Sequence, residues 1–207
     1  MTRRTSVHKP RGRIEGEALL SFEAALEAEP GQAYDRERWL YVPPVYAEYR
    51  YVLGTLGEKP LICVGLNPST AAPEALDNTL KSVWRVAKHN GFDSFLMMNL
   101  YAQRATKPCD MDPEACDFLK RENGRAFRCL LGRTKAVWAA WGAVMETRGY
   151  LTDCLMDFYR IGLEEGARWF TAGAKSRKGH PHHPLYLKSD SPLEAFDIGA
   201  YIHSIQC

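Results

Sequence analysis

Leu61-Ile62-Cys63-Val64-Gly65-Leu66-Asn67-Pro68-Ser69 is a short apolar run that breaks into a polar Asn-Pro turn. A continuous apolar run of this length suits a strand buried on both faces, as in a parallel sheet covered by helices. The turn from Gly65 to Ser69 then sits where open parallel sheets bind ligands, beyond the carboxyl end of a strand.

The segments that follow keep the same rhythm. Asn78 to Asn90 reads as a helix with Leu80, Val83, Trp84 and Ala87 on one face and Gly91 as its stop. Ser94 to Asn99 reads as a second buried strand, and Pro113 to Leu131 as a long helix. Ala136 to Trp141 is a third strand closed by Gly142. Met145 to Leu163 is a helix interrupted by glycines, and Arg168 to Ala172 a fourth strand. Ser191 to Ile205 is a last helix, with Ser191-Pro192 as N-cap and first position. Strands alternating with helices predict an α/β fold: a three-layer α/β/α domain with a central four-stranded parallel sheet over residues 59–207. Residues 1–58 form an extension: a basic tail, a helix over Ala18 to Glu29, and an aromatic strand or hairpin before the main sheet.

Composition narrows the function. With 207 residues, 45% hydrophobic and 25% charged, the chain has the make-up of one soluble domain able to bury a substantial core. A formal charge of +2 does not by itself demand a polyanionic partner, so local clusters matter more. The first runs through Arg3, Arg4, Lys9, Arg11 and Arg13, and the second through Arg121, Arg125, Arg128, Arg133 and Lys135. A solvated face or tail is the simpler reading of both. The third, Lys175, Arg177, Lys178 and Lys188, brackets a run of histidines and prolines. The six cysteines contain no CxxC and read as reduced thiols of a cytoplasmic protein. The basic start lacks an apolar signal core, and no run reaches membrane-spanning length.

Several chemistries lack their motif. There is no GxxxxGK[ST] phosphate loop, GxGxxG fingerprint, GxSxG elbow or HExxH helix. His180, His182 and His183 lie in an extended, proline-broken loop without a second ligand set, so no metal is expected. What remains is three polar segments after strands: Asn67 to Thr70, Asn99 to Thr106, and His180 to Tyr186.

In order and placement these segments resemble the motifs of the uracil-DNA glycosylase superfamily. Val64-Gly65-Leu66-Asn67-Pro68-Ser69 is similar to the Gly-Ile-Asn-Pro-Gly motif of its mismatch-specific and thymine-DNA branches. Asn99-Leu100-Tyr101-Ala102-Gln103-Arg104-Ala105-Thr106 looks like their asparagine followed by an Arg-Thr segment. Ala140-Trp141-Gly142 matches a Leu-Trp-Gly strand end, and His183-Pro184-Leu185-Tyr186 stands where the family has His-Pro-Ser-Pro-Leu. The resemblance covers roughly Leu61 to Pro192. The chain also resembles a widespread bacterial family of uncharacterised proteins that carries LNPSTA, NL-x-A, aWG and HPLY.

The glycosylase resemblance implies roles residue by residue. Asn67 would orient water or sugar, and His183 would stabilise the departing base. Leu66, Pro68, Ser69, Asn99 and Tyr101 would line the base pocket, with Asn99 reading a pyrimidine edge. Leu185 or Tyr186 would fill the gap left by the flipped base, and Lys175, Arg177, Lys178 and Lys188 would hold phosphates. Plainer roles stand beside these: a turn-shaping Asn67-Pro68, a capping Asn99, a backbone-bonded His183, a core Trp141 and an N-capping Asp77.

Two departures from the family pattern bear on substrate. Ser69, Thr70 and Ala71 stand where uracil-specific enzymes carry a bulky tyrosine that excludes groups at pyrimidine C5. Asn67 stands where the fastest of them have aspartate. The implied activity is a monofunctional, cofactor-free glycosylase of C5-enlarged pyrimidines in DNA, acting as a monomer. Hypermodified cytosine or thymine of phage DNA, or a damaged base in repair, would be its target. No lysine lies in the motifs, so no lyase step is expected. A non-catalytic nucleic-acid-binding module and a hydrolase of free nucleosides or nucleotides are the competing readings.

Overall fold

The computed structural model describes residues 7–206. Arg3 and Arg4 of the first basic cluster, and Cys207, lie outside them. In chain order the main elements are α1 (Phe22–Glu27), β1 (Trp39–Val42), β2 (Val52–Thr55), β3 (Pro60–Gly65), α2 (Asn78–His89) and β4 (Ser94–Asn99). They continue with α3 (Asp117–Leu131), β5 (Ala136–Ala139), α4 (Tyr150–Glu165), β6 (Arg168–Ala172), β7 (Leu193–Ala195) and α5 (Ile198–Gln206). One seven-stranded sheet runs β1-β2-β4-β3-β5-β6-β7. Its centre, β4-β3-β5-β6, is parallel and consists of the four strands expected from the apolar runs.

The expectation of a four-stranded sheet is corrected at both edges. On one side β1 and β2 form an antiparallel pair that docks on β4. On the other, Leu193–Ala195 pairs antiparallel with β6, where a helix start was expected. The reason is tertiary. The Asn90 side chain donates to Ser191 O at 3.0 Å and accepts from Leu193 N at 2.9 Å, which draws this segment out straight. The last helix begins only at Ile198, and Asp197 Oδ1 accepts from Ala200 N at 2.8 Å.

Other helix ends shift for similar reasons. The hydroxyls of Tyr49 and Tyr51 bind Leu20 N and O at 3.0 and 2.7 Å, so α1 waits for the Ser21 cap. Tyr101 Oη accepts from Cys116 N at 2.8 Å, and α3 starts at Asp117 rather than Pro113. The interrupted helix after the third strand resolves into a 3-10 turn, Ala143–Thr147, followed by α4.

Alternation along the strands divides the core in two. Ile62, Val64 and Met98 face α1, α3, α4 and α5, whereas Leu61, Cys63 and Met97 face α2. Both layers are fully buried at the central strands, as their uninterrupted apolar character requires. Among the described residues no helix is long and apolar enough to cross a membrane.

Candidate active site

The parallel strands lie in the order second, first, third, fourth along the chain, so the connections from β3 and β5 diverge. Such a reversal opens a crevice at the carboxyl ends of those strands. Asn67 and Pro68 follow β3 there, and Trp141 and Gly142 follow β5.

Asn67 is anchored by its amide nitrogen. Nδ2 donates to Ala105 O at 2.6 Å and to Pro68 O at 3.2 Å, while Ala105 N donates to Pro68 O at 2.9 Å. Two carbonyl partners fix which amide atom is nitrogen, and Oδ1 remains as an acceptor on a half-buried side chain. The turn-shaping role and a ligand-directed role therefore use different atoms of one residue.

Asn99 ends β4 opposite Gly65 of β3. The residue is 1% exposed, and among the described residues neither Oδ1 nor Nδ2 has a hydrogen-bond partner. A buried amide left unpaired costs about 1–3 kcal/mol per group. Its backbone is well held, with Asn123 Nδ2 of α3 donating to Asn99 O at 2.8 Å and Leu100 O at 3.1 Å. A capping role for the Asn99 amide is thus absent, and its donor and acceptor are both uncommitted.

His183 reaches the crevice through Gly142. Gly142 has φ +72°, and a Cβ there would lie 3.1 Å from His183 Cβ. The His183 loop is also fastened to α2, where Ser82 Oγ donates to Pro184 O at 2.7 Å. Nδ1 accepts from Leu185 N at 3.3 Å, so the neutral ring carries its proton on Nε2. Burial holds the imidazole below the ordinary histidine range; Asp77 pulls the other way and His182 adds to the lowering. The result is a neutral ring whose Nε2–H has no hydrogen-bond partner among the described residues. Asp77 caps α2, accepting from Leu80 N at 2.9 Å, yet its charge also acts on both His183 and Arg50.

The remaining expected residues fall in different places. Leu66 is buried on the α3 side of the sheet, and Tyr101 packs there with its ring 4.9 Å from that of Tyr150. Since Tyr101 also holds the start of α3, the structure puts it in the core and not beside Asn99. Trp141 is likewise core, its Nε1 donating to Tyr201 Oη at 3.2 Å. Pro68 is buried, and the carbonyl of half-buried Ser69 accepts from Arg104. Leu185 and Tyr186 project beside His183, Tyr186 being 75% exposed. His180 is buried against Tyr201 Oη at 2.8 Å, and His182 contacts Ala174 O at 3.0 Å, so the three histidines serve separate partners.

The basic clusters separate by pairing. In the second, Arg128 binds Glu164 and Glu165 at 2.5 and 2.7 Å, Lys135 binds Glu165, and Arg121 and Arg125 bind Glu122. That α3–α4 face is a mutually neutralised surface. In the third, Lys178 is paired with Glu146 at 2.8 Å, Lys175 lies 5.7 Å from the centre of the Phe196 ring, and Arg177 and Lys188 are exposed.

Reading the residues one by one missed two arginines, Arg50 and Arg104, buried beneath the loop after β3. Their types suggest surface, and the available signal was weak. Arg50 lies between two tyrosines in an aromatic run, and Arg104 lies inside a post-strand segment.

The chain belongs to the DUF1643 family, described as a protein of unknown function, whose profile matches residues 50–185. No curated protein and no solved structure matches the chain. The matched segment contains the whole crevice, from Arg50 through Asn67 and Asn99 to His183.

Proposed function

We propose that this protein is a monofunctional DNA glycosylase, with the uracil-DNA glycosylase type of fold, acting on a C5-enlarged pyrimidine. The observation that carries the reading is Asn99: a buried amide with donor and acceptor both unpaired, at the carboxyl edge of a parallel sheet. A pyrimidine edge offers the complementary acceptor and donor. A flipped base would supply the hydrogen bonds that the Asn99 amide does not make among the described residues.

The chemistry assigned to the neighbours is hydrolysis. Asn67 Oδ1 accepts a hydrogen bond from a water and aims its lone pair at the sugar carbon. As the carbon–nitrogen bond breaks, both bonding electrons leave with the base. The neutral His183 donates from Nε2 to the pyrimidine oxygen where that charge collects. The water oxygen bonds to the sugar, and its proton passes to solvent or to the departing base. Exposed Leu185 and Tyr186 would fill the space a flipped nucleotide vacates, and exposed Lys175, Arg177 and Lys188 would contact phosphates. Small residues at Ser69, Thr70 and Ala71 support an enlarged base, with hypermodified phage DNA or a damaged base as the target.

The test is incubation with duplex and single-stranded oligonucleotides carrying individual C5-modified pyrimidines, followed by alkaline cleavage of abasic sites. Strand breaks on at least one substrate, lost in Asn67→Ala, are expected. No breaks on any substrate would refute the reading.

A further inference from the structure

Two guanidinium groups lie side by side under the loop after β3, and among the described residues neither has an acidic partner. Arg50 is 1% exposed and Arg104 0%. Arg50 Nη1 donates to Ala71 O at 2.9 Å, and Arg104 Nη1 donates to the same carbonyl at 3.3 Å and to Ser69 O. Arg104 Nη2 donates to Tyr41 Oη at 2.9 Å. The Nε of each arginine is sealed from solvent without a hydrogen-bond acceptor among the described residues. Among the described residues no carboxylate forms an ion pair with either. Asp77 and Glu48 act on them only through their fields.

Two like charges taken out of water together are costly, and carbonyl dipoles offset part of that cost only. Burial, and then the charge of Arg104, pushes the Arg50 guanidinium below the usual arginine range. Arginine nonetheless stays protonated in proteins, so the site holds two full positive charges. The missing element is negative charge. Paired planar forks are suited to an oxyanion with several acceptor oxygens, because each guanidinium can present two parallel N–H groups.

We propose that Arg50 and Arg104 form a phosphate-binding site beside the crevice, receiving the phosphate of a bound nucleotide. Its place follows from Ser69, whose carbonyl accepts from Arg104 two residues beyond Asn67 on the same loop. Its cover is Tyr46, which is 53% exposed and stacks on Arg104 with 4.4 Å from Cζ to the ring centre. The Tyr46 hydroxyl is held at its outer end by His8 Nδ1 at 3.1 Å, and displacement of this one side chain uncovers Arg104. A phosphate takes over charge compensation, whereas Ser69 and Ala71 keep their carbonyl contacts. The site stands whether or not the protein excises bases.

The test is thermal unfolding of the full chain titrated with inorganic phosphate, ionic strength held constant with chloride and acetate run in parallel. A ligand that binds only the folded state raises the midpoint with the logarithm of its concentration once that exceeds the dissociation constant. The general salting effect of phosphate grows in proportion to concentration and needs far more salt. A logarithmic rise that sets in at low millimolar phosphate is expected, absent with acetate. It should weaken about tenfold in Arg50→Lys and in Arg104→Lys, which keep the charge but lose the fork. If one variant fails to fold, the other and the unmodified chain decide. No rise at low millimolar phosphate, an equal response to acetate, or the same affinity in a folded lysine variant would overturn the proposal. A nucleoside 5′-monophosphate and an oligonucleotide lacking a terminal phosphate, compared in the same titration, distinguish a free nucleotide from DNA as the source.

Discussion

Asn99 faces Gly65 across the β3–β4 ladder, and a Cβ at residue 65 would lie 2.8 Å from Asn99 Oδ1 and 2.6 Å from Met97 Cε. The glycine is what leaves the asparagine amide its place at the strand edge. Both residues end their strands at the same level, so the contact sits at the mouth of the crevice and not in the sheet interior.

Gly65→Ala should therefore damage the site more than the fold. The added methyl meets the far ends of two side chains, so overpacking costs about 1–3 kcal/mol. Base release should fall by at least about tenfold, equivalent to roughly 1.4 kcal/mol of lost transition-state stabilisation. Denaturant midpoints and single-turnover rates on the same preparation separate the two effects.

Replacing Asn99 by leucine removes an unpaired buried amide while keeping most of its volume. Stability should be unchanged or rise by about 1 kcal/mol, and activity should be lost. A loss of stability of about 2 kcal/mol or more in urea unfolding would mean that the amide supports the fold.

Gly142→Ala places a methyl at φ +72° and 3.1 Å from His183 Cβ. With ψ at −174° the backbone lies in a region essentially restricted to glycine, which alone costs about 1–3 kcal/mol. Catalysis should drop as well, because His183 is pushed from its seat. A variant with lowered Tm and unimpaired activity would separate Gly142 from the site.

His183 should give the pH profile an acid limb. Its folded pKa lies below the ordinary value of 6.5; as pH drops through that lowered pKa, Nδ1 gains a proton, loses the bond from Leu185 N that holds the ring, and activity should fall. Stability follows the same direction. Below 6.5 the unfolded chain binds the proton more readily than the folded one, so His183 destabilises the fold progressively as pH falls toward its folded pKa. In His183→Gln the acid limb should vanish from the residual activity, and the stability loss over that window should shrink. Rate profiles and urea midpoints from pH 5 to 8, as roughly spanned by histidine titration, check both.

DNA affinity should divide the basic clusters by their pairing. Alanine at Arg177 or Lys188, exposed and without an ion pair among the described residues, should lower the salt slope of binding by about one. Alanine at Arg128, committed to Glu164 and Glu165, should leave it unchanged. Fluorescence anisotropy across a salt series measures the slopes.

The parts of this fold that could be read from sequence are those whose cause is local. The four central strands are apolar runs closed by Asn99, Gly142 and the Asn67-Pro68 turn, and α2 carries its own cap in Asp77 and its own stop in Gly91. The parts that could not be read depend on distant partners. Ser191-Pro192 has the chemistry of a helix start, but Asn90, about a hundred positions earlier, makes it the approach to an edge strand. Ala18 to Leu20 has helical spacing, but two tyrosine hydroxyls hold its backbone. In the site, Asn67, Asn99 and His183 stood out because each follows a strand or a proline-marked loop. Tyr101 stood out for the same reason, yet it turned to the opposite layer. Arg50 and Arg104 are invisible to residue-type reasoning, which assigns arginine to the surface.

The most direct measurement is mass-spectrometric detection of free base after incubation with DNA containing uracil and C5-enlarged pyrimidines together. Release of an enlarged pyrimidine ahead of uracil, with strands intact until alkali is added and no release by Asn99→Leu, is the expected result. Absence of any free base from wild-type protein, or undiminished release by Asn99→Leu, would contradict the assignment of Asn99 as the base-reading residue of a glycosylase.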